Sequence, residues 1–351
     1  MKEMKNMNKK ITIFSIILII VGTIGTICSG IVSIPYFIRA SSDIERELNK
    51  EYIIYNKEIE VNKLNINTKD TNIVIRKHNK NNVIVSKKGN KNNFGYSFEN
   101  KDNALYVSEN ESNENYKHIK DITNFNDFAN YMLNEFYSQN ANNIVIYIPN
   151  DVDINTYTQS GVLDIQDDIF LNDVTFKTLS GNISLPKKIK NLNKLDIKSK
   201  NYIQLSISEL LGIKDIDISS NSVNIYSDDN DIFIDNKENY VPNNVNINQD
   251  SNDYGNVDIS TEIPIANNLN INAYNSNVSI DLPIDKYKIN FNIKSLQRID
   301  MNDLIQENKI NENDNIKYQD IRELNGNLNK NLQELKKEYK VNIKSEYISI
   351  K

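Results

Sequence analysis

Two hydrophobic patterns divide the chain. From Ile11 to Ile38 there is no charged residue, 28 positions in a row, which at 1.5 Å per residue exceeds the roughly 20 residues needed to cross a hydrocarbon core. Past Lys63 the apolar residues instead fall at every second position in short bursts: Leu64 and Ile66, Ile73 and Ile75, Val83 and Val85, Leu105 and Val107, then Ile144, Ile146 and Ile148. Such alternation sets one row of side chains on the buried face of a strand and the intervening polar row on the other. Asn, Asp, Lys and Ser fill the gaps, where their side chains can bond the local backbone in turns.

The middle of the chain repeats. Leu163/Ile165, Ile183/Leu185, Ile203/Leu205 and Val223/Ile225 recur at steps of twenty. A second set, Val174/Phe176, Leu195/Ile197 and Ile216/Ile218, leads the later pairs by seven to nine residues, and Ser160, Ser180, Ser199 and Ser220 mark the corner between the sets. Stacked rungs of this length pair every strand with the rung above and below and bury an apolar interior that no rung could bury alone. The pattern returns at Val257/Ile259, Leu269/Ile271, Val278/Ile280 and Ile289 to Ile293, and closes with Val341/Ile343 and Ile348/Ile350. The expected fold is all-β, a β-solenoid of about 20 residues per rung with a sandwich as the alternative, preceded by one transmembrane helix.

Two segments have helical spacing. Phe125, Phe128, Met132, Leu133 and Phe136 share one helical face, as do Ile321, Leu324, Leu328, Leu332, Leu335 and Tyr339, with Gly326 weakening the second. Helical insertions are therefore expected near 121–138 and 319–340, where they would cover the open edges of the stack.

Lys2, Lys5, Lys9 and Lys10 precede the long apolar segment, while Asp43, Glu45 and Glu47 follow Arg39. The positive-inside rule then sets the N-terminus in the cytoplasm and the remainder outside. A cleaved signal peptide is the rival reading, but the apolar run is about twice the usual h-region of 7 to 15 residues and no small-x-small site ends it. The expected layout is a cytoplasmic tail (1–10), a membrane helix held by lipid (11–38), a juxtamembrane stalk (39–58) carrying Ile44, Leu48 and Tyr52 at four-residue steps, and an extracytoplasmic domain (59–351). Gly22, Thr26 and Gly30 have the small-xxx-small spacing that lets two membrane helices approach, although small residues are ordinary there.

The net charge of −6 becomes −9 once the tail's excess of three positive charges is set aside. Such a domain repels polyanions, which argues against nucleic acid or teichoic acid as partner unless a local basic patch receives it. The sole cysteine, Cys28, lies in the apolar segment, so no disulfide can form within the chain. His78 and His118 stand in polar, loop-like sequence without metal-ligand spacing. Ser160-Gly161 and Ser180-Gly181 lack the nucleophile-elbow pattern and read as turns. Catalytic and cofactor-binding residues are therefore expected to be absent. Asp228, Asp229 and Asp231, with Asn230, Asn252 and Asp253, are a candidate Ca²⁺ cluster, although a solvated turn explains the same residues and the EF-hand glycine and terminal glutamate are missing. Tyr157, Tyr202, Tyr226 and Tyr254 fall near rung corners, where aromatic rings can stack on a ligand or simply pack with their hydroxyls in water.

Leu64-Asn-Ile66-Asn-Thr68, Asn72-Ile73-Val74-Ile75, the run Ile146 to Val152, and Thr178-Leu-Ser180-Gly181-Asn182-Ile183-Ser184-Leu185 give the chain from about Glu60 onward a pattern that resembles the bacterial DUF4097 family of β-strand repeat domains, named as candidate adhesins. The chain departs from that pattern around Phe125 to Phe136 and where Lys200-Asn201 and Asn221-Ser222 replace the Ser-Gly corner. The resemblance implies a β-repeat domain of the cell surface or envelope and brings no catalytic or cofactor residues. Some relatives sit beside envelope-stress regulators, which makes a regulatory accessory contacting another membrane protein the second expectation. A carbohydrate-active β-helix is the third.

Overall fold

The computed structural model describes residues 50–88, 95–110, 143–166, 169–228, 236–249, 254–281, 283, 286–301, 322–328 and 338–351. Most of these residues are in strands, and a single apolar core runs from Tyr55 to Ile350. The repeat read from the sequence pairs as its spacing predicts except at the step from Ile183 to Ile203, where no ladder forms. Strands β8 (Val152–Thr158), β10 (Leu171–Thr178), β12 (Leu192–Ser199), β14 (Ile213–Ser219) and β16 (Asn244–Asn248) run parallel as one wall, with Val174 opposite Leu195 and Leu195 opposite Ile216. A second wall carries β9 (Leu163–Ile165) beside β11 (Ile183–Ser184), and β13 (Tyr202–Ser206) beside β15 (Ser222–Tyr226) and β17 (Asn256–Ser260). Leu163 faces Ile183, and Ile203 faces Val223, at the step of twenty. The inward residues Phe176, Leu195, Ile197, Ile203, Leu205, Ile216 and Ile218 are 0 % exposed, and each such side chain contributes about 1.5–3 kcal/mol by leaving water.

The corner between the walls is a column of hydroxyls, and it corrects the serine assignment. Thr158, Thr178 and Ser199 occupy successive rungs in register and are buried. Ser160 and Ser180 lie two residues further on and are exposed. Thr158 Oγ1 donates to the Lys69 carbonyl and accepts from Gly161 N–H; Thr178 Oγ1 does the same with Gln159 and Gly181. Ser220, also buried, donates to the Asn201 carbonyl. Each hydroxyl satisfies backbone groups that the turn would otherwise strand in the core.

At the N-terminal end, β2 (Lys63–Asn67) and β3 (Asn72–Lys77) form one rung, sandwiched between the β8/β9 rung and a rung made of β6 (Ala104–Glu109) and β7 (Asn143–Ile148). Antiparallel strands finish this end: β5 (Tyr96–Lys101) on one wall, β4 (Val83–Lys88) and β1 (Glu51–Lys57) on the other. At the C-terminal end β18 (Asn268–Asp281) pairs with β16 through its first half and β17 through its second, turning from one wall into the other. The last strand, β21 (Glu338–Ile350), inserts between β18 and β19 (Lys288–Asp300), parallel to both.

The helix expected near 319–340 is corrected. Glu323–Leu328 is an extended strand, β20, antiparallel to β19, and Tyr339 lies within β21 with its ring 1 % exposed. Leu324 and Leu328 fit a strand face as well as a helical one, and Gly326 at φ 152° disfavours the helix. The helix expected near 121–138 lies outside the described residues, as do the tail, the segment 11–38 and most of the stalk, whose last residues enter β1. Among the described residues no helix is long and apolar enough to cross a membrane.

Candidate interaction surface

The outer face of the longer wall is built from the polar half of each alternation. Asp217, Asn246, Asn270 and Asn342 stand in register on β14, β16, β18 and β21. Their amides form a one-way chain: Asn246 Nδ2 donates to Asp217 Oδ1 at 2.8 Å, Asn270 Nδ2 to Asn246 Oδ1 at 2.8 Å, and Asn342 Nδ2 to Asn270 Oδ1 at 2.9 Å. A parallel column links Asn268 to Asn244 and Asn244 to Asp215. Burial opposes ionisation of Asp217, but hydrogen bonds from Lys194 and Asn246 outweigh it and hold the carboxyl below its usual range. The amide chain is therefore seated on a fixed negative charge. Over its far end lies a depression of about 340 Å³, lined by Asn246, Asn270, Asn342, Asn292, Lys294 and Lys344.

The residues singled out in the sequence do not converge. Asp228 is paired with Lys187, while Asp229, Asp231, Asn230, Asn252 and Asp253 lie outside the described residues. His78 is half-buried just past β3 rather than solvated, its ring 6.4 Å from that of Tyr147, and His118 is not among the described residues. Tyr157, Tyr202 and Tyr254 are exposed, but Tyr157 lies on the longer wall, and Tyr202 and Tyr226 sit at opposite ends of neighbouring strands. Ser160 and Ser180 are turn residues.

Two polar clusters escaped the sequence reading. Glu51 on β1 accepts hydrogen bonds from Ser86 Oγ on β4 and Tyr147 Oη on β7, each at 2.9 Å, and pairs with Arg76 on β3 at 3.7 Å. Arg76 Nε in turn donates to Gln166. The first described strand is thereby tied across three others, and nothing in the local sequence around Glu51 announces it. The second cluster lies where the shorter wall breaks between β11 and β13. There Ser206 opens the short helix α1 (Ile207–Leu210). Glu209 Oε2 accepts the Ser206 N–H at 2.8 Å, and its Oε1 accepts the Leu185 N–H at 3.0 Å, so one carboxylate replaces the ladder bonds missing at the break. Lys190 Nζ donates to the carbonyls of Lys188 and Ser208. Burial pushes Lys190 down to about 7 even though Glu209 pulls it up. Ser206-Ile-Ser-Glu209 is the capping-box spacing and was the available signal.

These clusters brace the fold, and among the described residues no group of three His, Cys, Asp or Glu could hold a metal. No curated protein matches the chain. Among solved structures, a candidate adhesin from Bacteroides fragilis shares 11% identity and a TM-score of 0.40, and a candidate cell adhesion protein from Clostridium sporogenes 14% and 0.20; each comparison covers 86% of this chain and 97% of the other. Both likenesses are too loose to assign a function. The family description Toastrack DUF4097 matches residues 61–351, and with β2 opening and β21 closing that span, the chain belongs to the Toastrack DUF4097 family.

Proposed function

We propose that the protein is a non-enzymatic, membrane-anchored component of a bacterial cell envelope, whose β-solenoid stands outside the membrane and offers its polar wall as an interaction surface of adhesin type. The observation that carries this reading is the joining of two features in one chain. An uncharged segment of 28 residues with basic residues before it and acidic ones after it suits a retained anchor. It precedes a stack of rungs in which β1 lies at one end and β19 and β20 at the other. Twelve strands along the longer wall, at about 4.8 Å each, extend roughly 50 Å, a length suited to lifting a surface away from lipid headgroups. The hydrogen-bonded amide columns keep that wall ordered without apolar cover.

Alkaline carbonate washing of membranes tests the anchor. The full chain stays in the membrane pellet, and a variant lacking residues 11–38 is released; extraction of the full chain would overturn the reading.

A further inference from the structure

The depression on the longer wall combines two features that call for a ligand. The first is the amide chain. Each link donates toward the Asp217 carboxylate, so polarisation accumulates in one direction and leaves Asn342 Oδ1 as an acceptor at the open end. Register sets Asn292 beside it on β19. A carboxamide that both donates and accepts matches a hydroxyl that does the same, and columns of them at strand spacing match a ligand that itself repeats. The second feature is a pair of like charges. Lys344 on β21 and Lys294 on β19 are direct partners in the parallel ladder, on the same outer face. Like charges so placed repel. Glu323 answers Lys294 from the far side at 3.2 Å, and no ion pair joins Lys344 to an acidic residue among the described residues. An anion seated between the two ammonium groups would relieve the repulsion.

We propose that this depression binds an acidic saccharide, with a carboxylate between Lys294 and Lys344 and the hydroxyls of the adjoining sugars on Asn270, Asn342 and Asn292. Amides and ammonium groups line the open depression beside Ile271 and Ile343, unlike the enclosed, mostly apolar pockets that take apolar small molecules. The domain's charge of −9 disfavours densely charged polymers such as nucleic acid, so a carboxylate is held here by the local pair of lysines and not by the field of the domain as a whole. The assignment rests on reading the domain as an interaction surface and names what that surface recognises.

The test uses the full chain in detergent and three immobilised acidic glycans, hyaluronan, alginate and polygalacturonate, with dextran as the neutral control. At least one acidic glycan binds, about tenfold or more tighter than dextran, and the binding weakens as salt is raised. Lys344→Ala and Asn342→Leu each weaken it by about tenfold, while Asn155→Leu, on the same outer face at the other end of the wall, leaves it unchanged. Thermal unfolding of each variant keeps loss of fold apart from loss of binding. Equal binding of dextran, no binding of any acidic glycan, or variants that bind like the wild type would overturn the proposal. Exposure of the domain on intact cells would then still stand, so the two readings fail separately.

Discussion

A methyl group added at Gly181 would lie 2.0 Å from the carbonyl oxygen of Gly161 and 2.7 Å from Thr178 Oγ1. Gly161 meets the Thr71 carbonyl in the same way one rung away. The rungs close on each other at this corner only because no Cβ intervenes, and the hydroxyls of Thr158 and Thr178 then reach the glycine N–H groups. Gly181→Ala should therefore destabilise the fold by about 2–3 kcal/mol, whereas Gly95→Ala, whose nearest neighbour would be 3.8 Å away, should stay within about 0.5 kcal/mol. Urea unfolding of the two variants checks this, and equal losses would contradict it. Lys190 makes a second prediction. Between its folded value of about 7 and the ordinary lysine value of 10.5, the unfolded chain holds a proton that the folded chain lacks. Stability therefore rises with pH through that window, and the buried charge costs stability below it. The stability of the wild type relative to Lys190→Met should climb from pH 7 to pH 10, and a difference that stays flat would contradict the burial of Lys190.

At the scale of elements, Glu51 is the fastening of β1. Removing its carboxylate takes one acceptor from Ser86 and from Tyr147 and one ion-pair contact from Arg76, a loss of about 1–2 kcal/mol. Because β1 pairs only with β4 among the described strands, the loss should be local. Hydrogen exchange in Glu51→Ala should quicken in the β1 amides and leave those of β10, β12 and β14 protected; uniform acceleration would show that β1 is integral to the whole stack. Much of the element plan was legible because inward Ile, Leu and Val alternate with polar residues at a step of twenty, and that alternation fixes both faces and register. Pairing order was not. Alternation identifies the buried face of a strand but not its neighbour, so the insertion of β21 between β18 and β19, 72 residues from Leu269 to Val341, left no mark. Leu324 and Leu328 misled because a four-residue spacing serves a helix face and a strand face alike. Ser160 and Ser180 misled because the corner hydroxyls at Thr158 and Thr178 lie two residues earlier. The outer wall was visible only as abundant asparagine; that Asn246, Asn270 and Asn342 align depends on rungs of unequal length between them.

For the whole molecule, the longer wall extends roughly 50 Å, and the proposed anchor, residues 11–38, precedes β1 in the chain. With β1 nearest the membrane, β18, β21 and β19 lie toward the far end, and with them the depression between Lys294 and Lys344. On the proposed reading, the outer face of the longer wall then carries the groups proposed to bind a ligand where a surface partner reaches them first. Everything about this arrangement depends on the side of the membrane on which the domain stands. Protease treatment of intact cells, with an epitope tag placed after Lys351, measures that directly. The account predicts that the tag is removed without lysis; a tag protected until the cells are broken would place the domain inside and contradict it.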